Sequence, residues 1–125
     1  MAKILIAEDD DSVRAFVERA LVMDGHQVVS ACDGEAGLEK LSAGAGFDLL
    51  LSDIKMPGMD GIQLAHEAAR LRPEMTLVLM TGYADQRERA GELQAIVRDV
   101  VLKPFSLAEI RQRVAAALEA EQAAA

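Results

Sequence analysis

The stretch that decides the fold is LLLSDIKMPGMDG, residues 49–61 of the chain. Three consecutive leucines bounded by polar residues predict a short strand that is buried on both faces. The strand runs into one carboxylate, Asp53, and then into a turn at Pro57-Gly58 that continues neither strand nor helix. Asp60 suits the N-cap of a following helix. Asp53 is therefore predicted to lie at the mouth of a strand and to face a loop.

The composition indicates one acidic domain. The chain has 125 residues, enough to bury a core, and its formal net charge of −8 argues against a surface that binds DNA, RNA or anionic membranes. No apolar run approaches the roughly 20 residues of a membrane span, and no signal peptide precedes the first strand. We therefore expect a soluble, cytoplasmic protein. Its single cysteine, Cys32, lies in an apolar run and is expected to be buried.

Strand and helix patterns alternate along the chain. The predicted strands cover residues 3–7, 27–31, 49–51, 76–80 and 97–102. Helical patterns follow them, and the last one runs from Ser106 to Glu121. The segment Asp85–Gln94 is rich in Arg and Glu with little apolar face, so it is predicted to form a short exposed helix. We expect one domain over residues 1–121 and a short tail over residues 122–125.

The polar residues that directly follow the strands are expected to lie together. Strands with two apolar faces that alternate with helices form a parallel sheet covered by helices on both sides, a three-layer α/β fold. Right-handed crossovers bring the carboxyl ends of all strands to one edge, where open α/β sheets bind their ligands. The side chains brought together in this way are those of Glu8, Asp9, Asp53, Thr81 and Lys103.

This set of side chains suits phosphoryl transfer. Three carboxylates in one place repel each other by several kcal/mol at an effective dielectric constant of about 20. A hard divalent cation such as Mg²⁺ relieves that repulsion, because it prefers oxygen ligands. Lys103 adds a positive charge and Thr81 a hydroxyl donor beside an ionised aspartate that needs no general base. Each signal alone is weak, but together on consecutive strand ends they are specific.

The joint pattern resembles the receiver domain of bacterial two-component response regulators over essentially the whole chain. The residues that carry the resemblance are Glu8-Asp9, Asp53 with the following Met56–Gly61, Thr81-Gly82 and Lys103-Pro104-Phe105. The resemblance implies a doubly wound, flavodoxin-like sheet with strand order 2-1-3-4-5. Receivers usually have a cis peptide bond before the corresponding proline, so we predict a cis Lys103-Pro104 bond.

The same resemblance implies roles for three residues in the chemistry. Asp53 would accept a phosphoryl group from a phosphohistidine on a histidine kinase or a histidine phosphotransferase. Thr81 and Lys103 would hold the phosphoryl oxygens. A receiver of this kind is not a classical enzyme, because it transfers the phosphoryl group to itself and then loses it by slow autodephosphorylation.

The resemblance also implies a set of Mg²⁺ ligands. Asp9 and the side chain of Asp53 would bind the metal directly, Glu8 would bind it through water, and Lys55 would offer its backbone carbonyl. Many receivers have an aspartate where this chain has Glu8. The longer carboxylate is expected to preserve metal binding.

A second departure from the family pattern concerns signal output. The position three before Lys103 is usually Tyr or Phe in receivers with an aromatic switch, and here it is Val100. The combination of Ala7–Asp10, Thr81–Tyr83 and Val100 is similar to the stand-alone CpdR type of receiver. That resemblance implies output through a protein contact in regulated proteolysis, with the terminal alanines as either a protease-recognition tail or a frayed helix end.

Tyr83, the only tyrosine of the chain, is a candidate to replace the missing switch residue. It lies two residues after Thr81, with Gly82 between them to supply backbone freedom. On this hypothesis, Tyr83 changes its exposure on phosphorylation and remodels the surface of residues 84–94. The alternative is that it covers the acidic pocket and slows hydrolysis of the phosphoaspartate.

Two other classes of protein compete with the receiver interpretation. A metal-dependent phosphatase with an aspartyl nucleophile would need a second carboxylate two residues after Asp53, where this chain has Lys55. A flavin-binding protein of similar fold would need a phosphate-binding loop after the first strand. The acidic run Glu8–Asp11 would instead repel that phosphate.

Overall fold

A computed structural model describes residues 2–43, 46–83, 93 and 95–124 of the chain. Five parallel strands in these residues form one sheet. In chain order they are β1 (Lys3–Ala7), β2 (Gln27–Ala31), β3 (Leu49–Asp53), β4 (Thr76–Thr81) and β5 (Asp99–Leu102). Across the sheet the order is β2-β1-β3-β4-β5, which confirms the predicted doubly wound, flavodoxin-like topology.

Helices cover both faces of the sheet. In the described part of the chain they are α1 (Asp11–Met23), α2 (Gly34–Ser42), α3 (Gly61–Leu71) and α4 (Leu107–Ala124). On one face α2 and α3 pack side chains such as Leu41 and Leu64 into the core, and on the other α1 and α4 do so with Leu21 and Val114. The three predicted layers are therefore present. Among the described helices, none combines the length and hydropathy that a membrane span requires.

β3 lies at the centre of the sheet, and all five of its residues are buried. It pairs with β1 on one side and β4 on the other, so that Leu50 aligns with Leu5 and Leu77. Leu50 belongs to the core beneath α2 and α3, whereas Leu49 and Leu51 belong to the core on the opposite face. The run of leucines is thus buried on both sides, as predicted, and it holds the site aspartate at the end of a strand without a solvent-facing side.

Aspartates begin the helices that follow β1, β2 and β3. The side chains of Asp10, Asp33 and Asp60 accept hydrogen bonds from backbone N–H groups in the first turns of α1, α2 and α3. Asp60 and Gln63 form a capping box, in which each side chain accepts a hydrogen bond from the other residue's backbone. A cap of this kind typically contributes about 1 kcal/mol to stability. Each helix is therefore started at a defined residue next to the functional edge.

The expectation that Cys32 is buried is wrong. The cysteine is exposed. β2 ends at Ala31, which is buried, and Cys32 lies beyond it in the turn that leads to the Asp33 cap. The apolar run therefore extends one residue past the end of the strand that it predicts.

The boundaries of four elements also differ from the prediction. β3 and β4 continue to Asp53 and Thr81 rather than ending at residues 51 and 80. β5 begins at Asp99 rather than at residue 97, and α4 covers Leu107–Ala124 rather than residues 106–121. The helix predicted over Asp85–Gln94 lies outside the described residues, since only Leu93 of that segment is described.

Gly61 allows α3 to start close to the end of β3. Its N–H donates to the carbonyl oxygen of Ile54 at 2.8 Å, and a Cβ atom at this position would lie 2.0 Å from the carbonyl oxygen of Asp53. At Gly46 a Cβ atom would meet nothing within 4 Å. We expect Gly61→Ala to lower the free energy of unfolding by at least about 2 kcal/mol, and Gly46→Ala to change it by no more than about 1 kcal/mol. Urea unfolding followed by circular dichroism measures both, and equal effects would contradict this account of the turn.

Candidate functional site

The carboxyl ends of β1 and β3 place three carboxylates next to one another. Glu8 directly follows β1, and Asp53 is the last residue of β3. One carboxylate oxygen from each of Glu8, Asp9 and Asp53 lies within 4.8 Å of the other two. Glu8 and Asp53 are 0% and 6% exposed, whereas Asp9 is exposed. Hard divalent cations prefer such oxygen donors, so the cluster could hold a metal ion.

Hydrogen bonds fix both the backbone and the side chain of Glu8. Its N–H donates to the carbonyl oxygen of Ala31 at 3.1 Å, and its carbonyl oxygen accepts from the guanidinium of Arg14 at 2.9 Å. Its Oε2 accepts from the N–H of Asp10 at 3.2 Å. The role of Arg14 was not predicted from the sequence. Arg14 forms an ion pair with Asp11, three residues earlier on α1. This i, i+3 spacing of opposite charges on a helix is the sequence signal that could have identified Arg14.

Lys103 reaches into the cluster from the residue after β5. Its Nζ donates to Glu8 Oε1 at 2.6 Å and lies 3.3 Å from Asp53 Oδ1. Its backbone N–H donates to the carbonyl oxygen of Thr81 at 2.8 Å. The Lys103-Pro104 peptide bond is cis, as predicted. The ammonium group therefore contacts both buried carboxylates.

The carboxylate of Asp53 lies at the wall of a cavity of about 940 Å³. Its Oδ1 accepts the N–H of Ile54 at 3.0 Å, and its backbone carbonyl accepts the hydroxyl of Ser52 at 2.9 Å. The polar residues that line this cavity include those expected from the sequence, namely Glu8, Asp9, Asp53, Lys55 and Lys103. The residues at the strand ends thus line one cavity that could hold a small anionic ligand and a cation.

Burial changes the acid–base properties of the cluster. It raises the pKa of Glu8 to about 7; the hydrogen bond from Lys103 opposes this shift, and the charge of Asp53 adds to it. For Lys103, burial on its own lowers the pKa, but the hydrogen bond to Glu8 and the charge of Asp53 outweigh burial, so the pKa is raised. The lysine is therefore charged at neutral pH, whereas the carboxyl group of Glu8 binds a proton more readily than that of an exposed glutamate.

Thr81 and Lys55 occupy different positions relative to the cavity. Thr81 is fully buried, and its Oγ1 accepts the N–H of Tyr83 at 3.1 Å. Among the described residues, Gly82 and Tyr83 line the cavity but Thr81 does not. Lys55 lines it too, with Nζ 4.8 Å from the centroid of the Tyr83 ring. This side-chain contact was not predicted, because both residues lie in loops, where no periodic pattern gives the direction of a side chain.

Fold and site together define a doubly wound α/β protein with an acidic cluster that could hold a metal ion at the point where the strand order reverses, between β1 and β3. Residues 4–115 match the response regulator receiver domain, and the chain belongs to that family. Receiver domains are regulatory phosphoacceptors of two-component systems rather than classical enzymes. They interact with histidine kinases and phosphotransfer proteins.

Comparisons with individual proteins agree with the family. The chain is 36% identical to the response regulator receiver protein CpdR of Brucella abortus (strain 2308), over 88% of this chain and 91% of CpdR. A CheY-like receiver domain protein of Methanospirillum hungatei JF-1 superposes with a TM-score of 0.91, 29% identity and coverage of 100% and 99%. TrrA of Thermotoga maritima, in complex with Mg²⁺-BeF, gives a TM-score of 0.84, 26% identity and coverage of 94% and 99%. Some curated relatives are longer, and the chain spans 24% of FleR from Pseudomonas aeruginosa.

We expect the metal-free protein to lose stability as the pH rises, because the folded state holds a proton on Glu8 that the unfolded chain releases. The folded pKa is about 7 and the ordinary value is 4.5. The contribution of Glu8 is complete below the ordinary pKa and is lost as the pH rises through the folded pKa, a change of up to about 3 kcal/mol.

Urea unfolding between the two pKa values and above the folded one, in a chelator, measures this change. Glu8→Gln keeps an oxygen acceptor for Lys103 but does not titrate, so the difference between the two proteins isolates Glu8 from other titrating groups. A difference that stays constant across this pH range would contradict the raised pKa.

Proposed function

We propose that this chain is the phosphoacceptor of a two-component phosphorelay, which takes a phosphoryl group on Asp53 from a phosphohistidine on a histidine kinase or histidine phosphotransferase. One observation carries the proposal. The carboxylate of Asp53 is buried at the end of the central strand, 3.3 Å from the ammonium of Lys103 and beside two further carboxylates. An ionised carboxylate beside a fixed positive charge and a cation site is arranged to attack phosphorus.

We assign Mg²⁺ to the acidic cluster. Asp9 and Asp53 would bind it directly, and Lys55 would contribute its backbone carbonyl. Both oxygens of Glu8 already accept hydrogen bonds, Oε1 from Lys103 and Oε2 from the N–H of Asp10, which suits a ligand that acts through water. When bound there, the cation neutralises negative charge on the phosphoryl oxygens.

The residues of the chain position the reacting groups. A carboxylate oxygen of Asp53 forms the new bond to phosphorus while the phosphorus–nitrogen bond of the donor imidazole breaks. Lys103, already in contact with Asp53, would hold one phosphoryl oxygen. Thr81 would hold another after its hydroxyl turns towards the cavity. The burial of Asp53 limits the access of competing water.

We further propose that the output is a contact with a protein partner. The 36% identity to CpdR extends over 91% of that protein, which is itself a response regulator receiver protein. From the resemblance to the CpdR type, we extend the proposal to a partner in regulated proteolysis.

Labelling with radioactive acetyl phosphate tests the acceptor. We expect Mg²⁺-dependent incorporation in the wild-type protein and background incorporation in Asp53→Asn, because the amide is not a nucleophile. Asp33→Asn is a matched control, since asparagine caps a helix as well as aspartate does, and it should be labelled like the wild type.

Label that persists in Asp53→Asn, or that forms equally in a chelator, would contradict the proposal. Rapid turnover of a phosphomonoester would instead favour the phosphatase alternative. A yellow purified protein would favour the flavin alternative.

A further inference from the structure

Tyr83 is tethered to the candidate site at two points. Its backbone N–H donates to Oγ1 of Thr81 at 3.1 Å. Its ring lies beneath the ammonium of Lys55, whose Nζ is 4.8 Å from the ring centroid. Thr81 ends β4, and Lys55 comes two residues after the end of the neighbouring strand β3. Tyr83 therefore links the loops that follow two adjacent strands.

The ring of Tyr83 lies where the cavity meets the surface. Tyr83 and Lys55 both line the cavity that contains Asp53, and Tyr83 is 50% exposed. The other aromatic side chains are engaged elsewhere: Phe47 lies beneath Lys3, and Phe16 packs against Phe105. Among the described residues, Tyr83 is thus the aromatic residue that lines this cavity, and the two contacts given above join it to site residues.

We propose that Tyr83 is the residue that registers phosphorylation of Asp53 in this chain. Entry of a phosphoryl group withdraws both tethers, and the ring leaves its place beside Lys55 and becomes more exposed. The inference rests on the proposed function of Asp53 as the phosphoacceptor.

The first tether is withdrawn through Thr81. Its side chain is fully buried and does not line the cavity in the described part of the structure. To donate to a phosphoryl oxygen on Asp53, the hydroxyl has to move into that cavity. The N–H of Tyr83 then loses its acceptor and has to find another, by a change in the backbone that Gly82 readily permits.

The second tether is withdrawn through Lys55. A phosphoryl group adds negative charge to the cavity that Lys55 lines. A cation–π contact at an exposed site is weak compared with the attraction between an ammonium and a phosphoryl dianion in the same cavity. The ammonium is therefore drawn from the ring towards the cavity. Since one event removes both tethers, Tyr83 responds more strongly to the phosphoryl group than to the loss of either contact alone.

Acrylamide quenching of tyrosine fluorescence reads the exposure of Tyr83 directly, because the chain has one Tyr and no Trp. Beryllofluoride with Mg²⁺ stands in for the phosphoryl group. We expect the quenching constant to rise on its addition, by at most about twofold because half of the residue is already exposed. Lys55→Met is expected to raise quenching before any addition and to reduce the later change.

Lys3→Met is the matched control. Its Nζ lies 5.0 Å from the centroid of the Phe47 ring, at the opposite end of the sheet from the site. It removes the same charge and the same kind of contact, so Tyr83 should be quenched as in the wild type in both states.

Backbone amide NMR signals of Ile54, Thr81 and Lys103 separate this inference from the proposed function. If they shift with beryllofluoride while the quenching of Tyr83 stays unchanged or decreases, the inference is wrong and the acceptor site stands. If they do not shift at all, the proposed function fails and the inference fails with it. The inference would also be overturned if, without beryllofluoride, the quenching constant of Lys55→Met equalled that of the wild type. The position of the ring would then not depend on its contact with Lys55.

Discussion

The site depends on one electrostatic constraint, which is that three carboxylates share the edge of the sheet with the ammonium group of Lys103. Two unit charges 4.8 Å apart repel by about 3 kcal/mol at an effective dielectric constant of 20. One lysine offsets only part of this repulsion. Burial is the largest cause of the raised pKa of Glu8, and the repulsion from Asp53 adds to it. A divalent cation bound at the cluster would relieve the same repulsion.

Much of the fold and of this cluster could be predicted from the sequence, because both follow from patterns along single strands. The run Leu49–Leu51 predicts a strand that is buried on both faces, and a parallel sheet gathers whatever follows its strands. These patterns alone therefore predict that Glu8, Asp53 and Lys103 lie together, as they do in the structure. The helix caps were predictable for a similar reason. An aspartate directly before an apolar helical pattern is placed to accept hydrogen bonds from the backbone N–H groups of the first turn.

Two of the predictions from the sequence that are wrong concern an apolar residue. One residue is buried outside the sheet, and the other is exposed. Val97 is buried and was assigned to β5, but it packs against the α2–α3 core before the strand begins at Asp99. Cys32 continues the apolar pattern of β2 and nevertheless lies in an exposed turn. Hydrophobicity alone does not distinguish these cases, because it reports a preference for burial and not a hydrogen-bond partner. The contact between Lys55 and Tyr83 had no sequence signal for the related reason that it joins two loops.

β5 shows why a receiver can lose the switch aromatic and keep the acceptor site. Arg113 donates to both carboxylate oxygens of Asp99, at 2.6 and 2.7 Å, and also to the carbonyl oxygen of Val100 at 3.4 Å. Val100 packs partly buried against the core, and its β-branched side chain is short and restricted at χ1. This strand therefore holds no large ring that could exchange between two positions.

The proposed acceptor chemistry does not need such a ring, because the residues proposed for it lie at the ends of β1 and β3 and at Lys103. Signal output needs a side chain that reaches from the cavity to the surface. Lys55 and Tyr83, in the loops after β3 and β4, line the cavity and are exposed. On the proposal that Tyr83 registers phosphorylation, the chemistry and the output depend on the residues around the cavity, and neither requires an aromatic side chain at position 100.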